Sequence, residues 1–392
     1  MKRKTLGIIV IIGLLVAAGF VAMYYYADLN SSTSDESVTK KTPANSEELQ
    51  FETVEGRYLL SGTIVPARGV EQQAFGDPMQ PFSRLDTFSP EKYDAWSVDF
   101  ECPVTDRQLS FREQVNTLTF NCPPKFMPGV TKYFNLINLA NNHSGDLGEE
   151  AFRETQERFD ETESQAFGHY DPAVKDETCR VVDLPVRLQM SDGAEQASAL
   201  PFAFCAWHYF LREPQPGELE VMEDYAEVMP VFAFTHSGLE YYATAQSDQV
   251  ELNRKLIDLG AEFVIGNNPH WVQNTEAYKD KLIVYSTGNF IFDQLDKETN
   301  RAANIDVTMK LDYTDNIKRW VELGDKCEAH KRINNCLEMA RDQRLEKFNP
   351  DFEFDMIASV NGYKIVTERA PAEVQRAVEE RMNWQQTLQQ LR

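Results

Sequence analysis

From Arg57 onward, continuous apolar runs alternate with stretches of helical period. "YLLSGTIV", "WSVDFECP", "YFNLINLANNH", "PVFAFTHSGLEY", "AEFVIG" and "KLIVYS" read as strands. Runs of that length offer no polar face, so they fit a sheet covered on both sides. "EEAFRETQERFDE" carries Phe152 and Phe159 two turns apart behind acidic first-turn residues. "SDQVELNRKLIDLG" carries a Leu252/Leu256/Leu259 stripe between a Ser247 or Asp248 cap and a Gly260 stop. Both patterns predict helices. The alternation predicts an α/β fold with a buried parallel or mixed sheet and helices outside. Beyond about Ala302 the pattern weakens. "NIDVTMKLDY" and "DMIASVNGYKIVTE" predict strands there, and "WVELGDKCEAHKRINNCLEMARDQRLEKF" and "AEVQRAVEERMNWQQTLQQL" predict helices.

The N-terminus changes the picture of where the chain sits. Lys2, Arg3 and Lys4 precede an uncharged run from Thr5 to Ala27. As a helix that run covers roughly 34 Å, enough for a bilayer core of about 30 Å. Tyr24, Tyr25 and Tyr26 fall where an interfacial aromatic belt belongs, and the basic residues hold the N-terminus inside. The expectation is a single-pass protein of the cell membrane with the bulk of the chain extracytoplasmic, a cleaved signal peptide being the alternative. Residues 1–27 form the basic segment and transmembrane anchor. Residues 28–55, rich in Ser, Thr, Glu, Lys and Asn, form a disordered linker. Residues 56–300 form the main domain, and 301–392 add strands and helices that pack on it.

Charge and cysteine add two constraints. A formal net charge of −23 argues against a nucleic-acid partner, which needs a basic patch. Six cysteines fit an oxidising compartment. A hairpin centred on "SDGAE", near residue 192, places Cys179 opposite Cys205. Cys102–Cys122 and Cys327–Cys336 are then the remaining local pairs, and free buried thiols are the alternative.

Candidate chemistry collects at strand ends, where α/β folds place their ligand sites. Glu101, Asn142 with His143, His236, Asn268 with His270, and Asn289 with Asp293 each follow a predicted strand. Imidazole, carboxylate and amide oxygen together suit divalent Mn, Fe or Zn. Taken singly, each stretch also reads as an ordinary Asn-rich turn or a satisfied histidine.

The three stretches "LINLANNHSGDLGEEAFRETQERFDE", "HSGLEYYATAQSDQVELNRKLIDLGAEFVIGNNPHWVQ" and "KLIVYSTGNFIFDQ" resemble the CapA-type proteins of poly-gamma-glutamate capsule synthesis. The likeness runs from about Arg57 to about Asp293. It implies a calcineurin-like, metallophosphoesterase-type fold: a four-layer αββα sandwich, preceded here by the single transmembrane helix. It also implies a role in making, exporting or attaching a capsule or surface polymer, alongside other capsule-synthesis membrane proteins. Carried over residue by residue, Glu101, Asn142, His236 and His270 become candidate metal ligands. His143 and Asp146 become catalytic candidates, and Arg68, Asn268 and Asn289 become substrate-binding candidates. The family's first strand usually ends in Gly-Asp, yet here Gly62 is followed by Thr63, a degraded ligand position. The family's Asn-x-Glu appears as Asp99-Phe100-Glu101, and its Gly-His-His-Pro-His as Gly266-Asn267-Asn268-Pro269-His270. Thr and Asn are neutral, weaker donors. Two readings follow: a degraded site that binds or scaffolds polymer, or an active metal-dependent phosphoesterase or polymer hydrolase or transferase at the cell surface.

Overall fold

The computed structural model describes residues 50–391, residue 108 excepted. The predicted anchor and nearly all of the predicted linker lie outside the described residues. No helix among the described residues is long and apolar enough to cross a membrane.

Fourteen strands among the described residues join one mixed hydrogen-bonded sheet. They are β1 (Phe51–Ile64), β2 (Ala95–Phe100), β3 (Leu136–Asn138), β4 (Gln165–Phe167), β5 (Cys179–Met190), β6 (Glu195–Tyr209) and β7 (Val231–Ser237). The remainder are β8 (Ala261–Asn267), β9 (Thr275–Tyr278), β10 (Lys281–Val284), β11 (Asn289–Ile291), β12 (Arg301–Asp312), β13 (Asp351–Asn361) and β14 (Thr367–Arg369). The main path runs β14-β13-β12-β1-β5-β6-β7-β8-β10-β9. β1 is the branch point. Its first residues pair antiparallel with β5, and Thr53–Leu60 pair antiparallel with β12. Its later residues pair parallel with β2 and β11. β2, β3 and β4 continue that parallel branch, while β6, β7, β8 and β10 form a second parallel run.

Side chains alternate across these strands and build two apolar clusters. Leu59, Trp96, Val98, Phe100 and Ile137 point one way, beneath the short helices of residues 68–133. Trp96 sits among Phe88, Phe134 and Phe290, with ring centroids 5.5, 5.1 and 5.8 Å away. Tyr58, Leu60, Leu136 and Phe167 point the other way, toward the aromatic strands β6, β7 and β8. Phe167 meets Phe204 at 5.1 Å and Phe234 at 5.0 Å. Each such buried ring contributes about 1.5–3 kcal/mol, which is what holds the parallel strands beside one another.

Four local outcomes differ from the sequence expectation. β1 starts at Phe51, inside the stretch assigned to the linker, because its first residues complete the ladders to β5 and β12. β3 is only three residues long. Asn138 accepts from Ala140 N–H at 2.9 Å and Asn141 from Ser144 N–H at 2.8 Å, so the side chains turn the backbone out of the ladder. The long predicted helix after Trp320 splits into Asp315–Cys327 and Cys336–Asp342, with Glu328 left-handed at the break. The last helix splits likewise at Asn383, whose φ is +54°. All three cysteine pairs form disulfides, and Cys179 lies directly opposite Cys205 in the β5–β6 hairpin.

Candidate functional site

Strand register brings the polar ends together. Thr63 pairs with Asp99 and with Asn289, Asp99 with Asn138, His208 with His236, and His236 with Asn267. Two glycines permit the approach. A Cβ on Gly62 would collide with the Gly288 carbonyl, and one on Gly266 with the Tyr285 carbonyl.

His236 is the centre of the group and is fully buried. Its Nδ1 lies 2.9 Å from Asp99 Oδ2. Its Nε2 lies 2.7 Å from Asn142 Oδ1 and 3.5 Å from Glu101 Oε1. Asp99 is well satisfied: it also accepts from Thr63 Oγ1 at 3.1 Å and from Asn141 Nδ2 at 3.1 Å. A carboxylate accepts only, so the imidazole proton belongs on Nδ1, and the Nε2 lone pair then faces two more oxygens. Glu101 sharpens the point. It is 1 % exposed, and neither carboxylate oxygen has a hydrogen-bond partner. Burial, reinforced by the Asp99 charge, pushes its pKa well above the ordinary carboxylate value.

A second group surrounds His270. Its Nδ1 donates to Asn289 Oδ1 at 2.8 Å, and its Nε2 lies 3.8 Å from Glu240 Oε1. Burial lowers its pKa to about 4. Asn268 holds a left-handed backbone, φ +95°, and donates from Nδ2 to the Gly238 carbonyl at 2.6 Å. Its buried Oδ1 has no partner. A third group holds His143, whose Nδ1 lies 2.7 Å from Asp146 Oδ2 and whose ring stacks on Phe120 at 3.8 Å. Arg68 is ion-paired with Asp293 and lies over the Phe120 ring, so its charge is already matched. The charge of Arg68 bears on His270, and those of Arg68, Glu240 and Asp146 on Glu101.

Of the residues expected from sequence, Glu101, Asn142 and His236 are therefore in direct contact. His270, Asn268, Asn289, His143, Asp146 and Arg68 form the neighbouring groups. Thr63 contributes a hydroxyl to Asp99, so a carboxylate does stand beside that position, but it comes from β2. Two residues matter more than the sequence suggests: Asp99, which the resemblance marks only as an altered Asn, and His208. His208 ends the apolar run of β6. Its Nδ1 donates to the Tyr170 carbonyl at 2.9 Å, its buried Nε2 has no partner, and its ring is 6.0 Å from that of His236. The signal was present in "FAFCAWHY", an apolar run ending in a histidine.

These donors can be tested against a metal. Among the described residues no three His, Cys, Asp or Glu side chains converge on one point. The converging set is one carboxylate, one imidazole and one amide oxygen. Donors on one ion at bond lengths of about 2.0–2.2 Å sit roughly 3–3.5 Å apart. The Glu101 spacing from His236 Nε2, 3.5 Å, meets that range, the Asn142 spacing, 2.7 Å, falls below it, and the unpartnered Glu101 oxygens supply the charge. The set fits a single divalent ion of borderline character.

Residues 57–200 and 216–294, more than half of the chain, match the family described as bacterial capsule synthesis protein PGA_cap. Capsule biosynthesis protein CapA of Bacillus anthracis is 29% identical over 215 residues, which is 50% of either chain. PGA biosynthesis protein CapA of Bacillus subtilis (strain 168) is 27% identical over 229 residues, 55% of this chain and 58% of that one. The chain thus spans about half the length of these curated relatives, 50% of one and 58% of the other. Among solved structures, calcineurin-like phosphoesterase YfkN from Bacillus subtilis aligns over 86% of this chain and 99% of its own, with a TM-score of 0.40 and 10% identity. With its motifs in order along β2, β3, β7, β8 and β11, the chain belongs to the bacterial capsule synthesis protein family PGA_cap.

Proposed function

We propose that this protein acts in the biosynthesis of a capsule or related surface polymer, poly-gamma-glutamate being the first candidate. It works from the outer side of the membrane on a single N-terminal span, with its sheet folded as the two facing layers of an αββα sandwich. The observation that carries the reading is the buried, unpartnered Glu101 carboxylate facing His236 Nε2. Glu101, Asn142 and His236 would hold one divalent Mn, Fe or Zn ion, with His270 at the edge of the site. A bound ion would polarise a phosphoryl or acyl oxygen. The protein's own groups do the rest. Asp146 accepts a hydrogen bond from His143 Nδ1–H, which leaves Nε2 to move a proton at the leaving group. Asn289 fixes the His270 ring. A second reading, polymer binding without metal, rests on the unpartnered Asn268 oxygen.

Elemental analysis of the full chain, purified after growth with Mn, Fe and Zn, separates the two. About one ion per chain, lost in His236→Ala, supports the metal site. No retained ion leaves the polymer-binding reading. In the cell, a His236→Ala allele should abolish the surface polymer, and undiminished polymer rules out this site as its source.

Asp99 should matter without touching the ion. In Asp99→Asn, keeping the oxygen toward Asn141 and Asn138 turns an NH2 donor toward His236 Nδ1, so the tautomer is no longer fixed and metal affinity should fall about 10- to 100-fold in a chelator competition. Unchanged affinity with an unchanged melting curve would deny Asp99 that role.

A further inference from the structure

A cavity of about 420 Å³ opens where the edge strand β4 meets the start of β5. Its size suits a small molecule. None of its lining residues belongs to the groups around His236, His270 or His143.

Arg180 stands in its wall, 7 % exposed. Its guanidinium donates to two backbone carbonyls, Ala166 at 2.5 Å and His330 at 2.7 Å. Nε has no acceptor. The other two arginines of the cavity are already matched: Arg153 by Glu149 and Glu177, and Arg332 by Asp160. Arg180 has no carboxylate partner among the described residues, and burial lowers its pKa to about 10. Asp160, already paired with Arg332, is the carboxylate whose charge reaches Arg180, so this buried cation is only partly compensated, and a carboxylate is the group a guanidinium fork matches best.

The mouth carries the opposite charge. Asp176 and Glu338 line the same cavity, are exposed, and make no ion pair among the described residues. Both lie close enough to the Tyr225 hydroxyl to help burial raise its pKa to about 12. Phe167, Val181 and Leu337 give the cavity an apolar wall. The loop Glu328–Asn335, closed by the Cys327–Cys336 disulfide, holds the His330 carbonyl in place, and Asn334 ties the loop to the Val181 carbonyl at 3.0 Å.

A buried cation, two carboxylates at the mouth and an apolar wall match the three parts of one kind of ligand. We propose that this cavity binds a free α-amino acid with an apolar side chain, its carboxylate on Arg180 and its ammonium between Asp176 and Glu338. A simple carboxylate satisfies Arg180 but is repelled at the mouth. An amine satisfies the mouth but leaves Arg180 bare.

Calorimetric titration of the full chain with L- and D-leucine, leucinamide and 4-methylpentanoate tests this. One leucine enantiomer should bind with a Kd of about 1 mM or tighter, and the two truncated analogues at least about tenfold more weakly. Arg180→Gln should abolish binding. Arg180 also ties β4 to the 328–335 loop, so that variant can lose its fold. The double variant Asp176→Asn/Glu338→Gln changes only exposed side chains and should weaken leucine about tenfold while leaving 4-methylpentanoate no weaker. Absence of leucine binding, or equal binding of leucine and 4-methylpentanoate, overturns the proposal.

Discussion

Glu101→Gln should stabilise the metal-free protein and abolish its response to divalent metal. The two effects have one cause. Glu101 is buried with no hydrogen bond to either oxygen, so without a cation its charge is uncompensated. Removing that charge should raise the unfolding free energy of the metal-free protein by about 1–3 kcal/mol near neutral pH. The sign follows from the direction of the shift. The folded pKa is raised, so the unfolded chain ionises first as pH rises. The penalty is absent below the ordinary carboxylate value, grows above it, and is complete once the folded carboxyl ionises. The gain from Glu101→Gln should therefore be larger at pH 8 than at pH 5. With saturating Mn the order reverses, because only the wild type gains binding energy on folding. Urea titrations with chelator and with Mn, at both pH values, read all four terms. A Gln variant less stable than wild type in chelator at pH 8 would sink the assignment of Glu101 as an uncompensated ligand.

Acid should unfold the metal-free protein through two histidines. His208 and His270 are each lowered by burial to about 4, so both are neutral in the folded state and take up protons on unfolding. Their contribution is fully present above about 6.5 and is lost as pH falls to about 4, on the order of 3 kcal/mol each at most. Glu101 acts in the opposite sense in the upper part of that window, since protonation relieves it. Acid loss should accordingly be steeper in Glu101→Gln than in wild type, and shallower in His208→Gln. Urea midpoints followed from pH 7 to pH 4 give the slopes. A Glu101→Gln slope no steeper than wild type would show that the carboxyl and the imidazoles do not oppose one another in this way.

Much of the fold was legible because strands covered on both faces leave long apolar runs, and β6, β7 and β8 are such strands. The Cys179–Cys205 pair was legible because a hairpin fixes register from a single turn. The site was legible as a set of strand ends, but its wiring was not. Thr63 looked like a lost carboxylate, and only the parallel register of β1 with β2 reveals Asp99 beside it. His208 was hidden because its importance depends on β6 lying parallel to β7, a pairing between strands that sequence order does not dictate. The double role of β1, antiparallel at one end and parallel at the other, leaves no periodic signature either. Helix breaks at Glu328 and Asn383 were missed because both positions are left-handed in residues other than glycine.

The disulfides have a consequence for how this chain can be made. Each cysteine is joined to the next one along the sequence, Cys102 to Cys122, Cys179 to Cys205 and Cys327 to Cys336, and no closed loop overlaps another. Six cysteines allow fifteen arrangements. A chain whose cysteines enter an oxidising space in sequence order, with each thiol captured by the next to arrive, reaches this one without passing through any other. Correct oxidation then depends on the order of emergence and needs no later reshuffling of mispaired bonds.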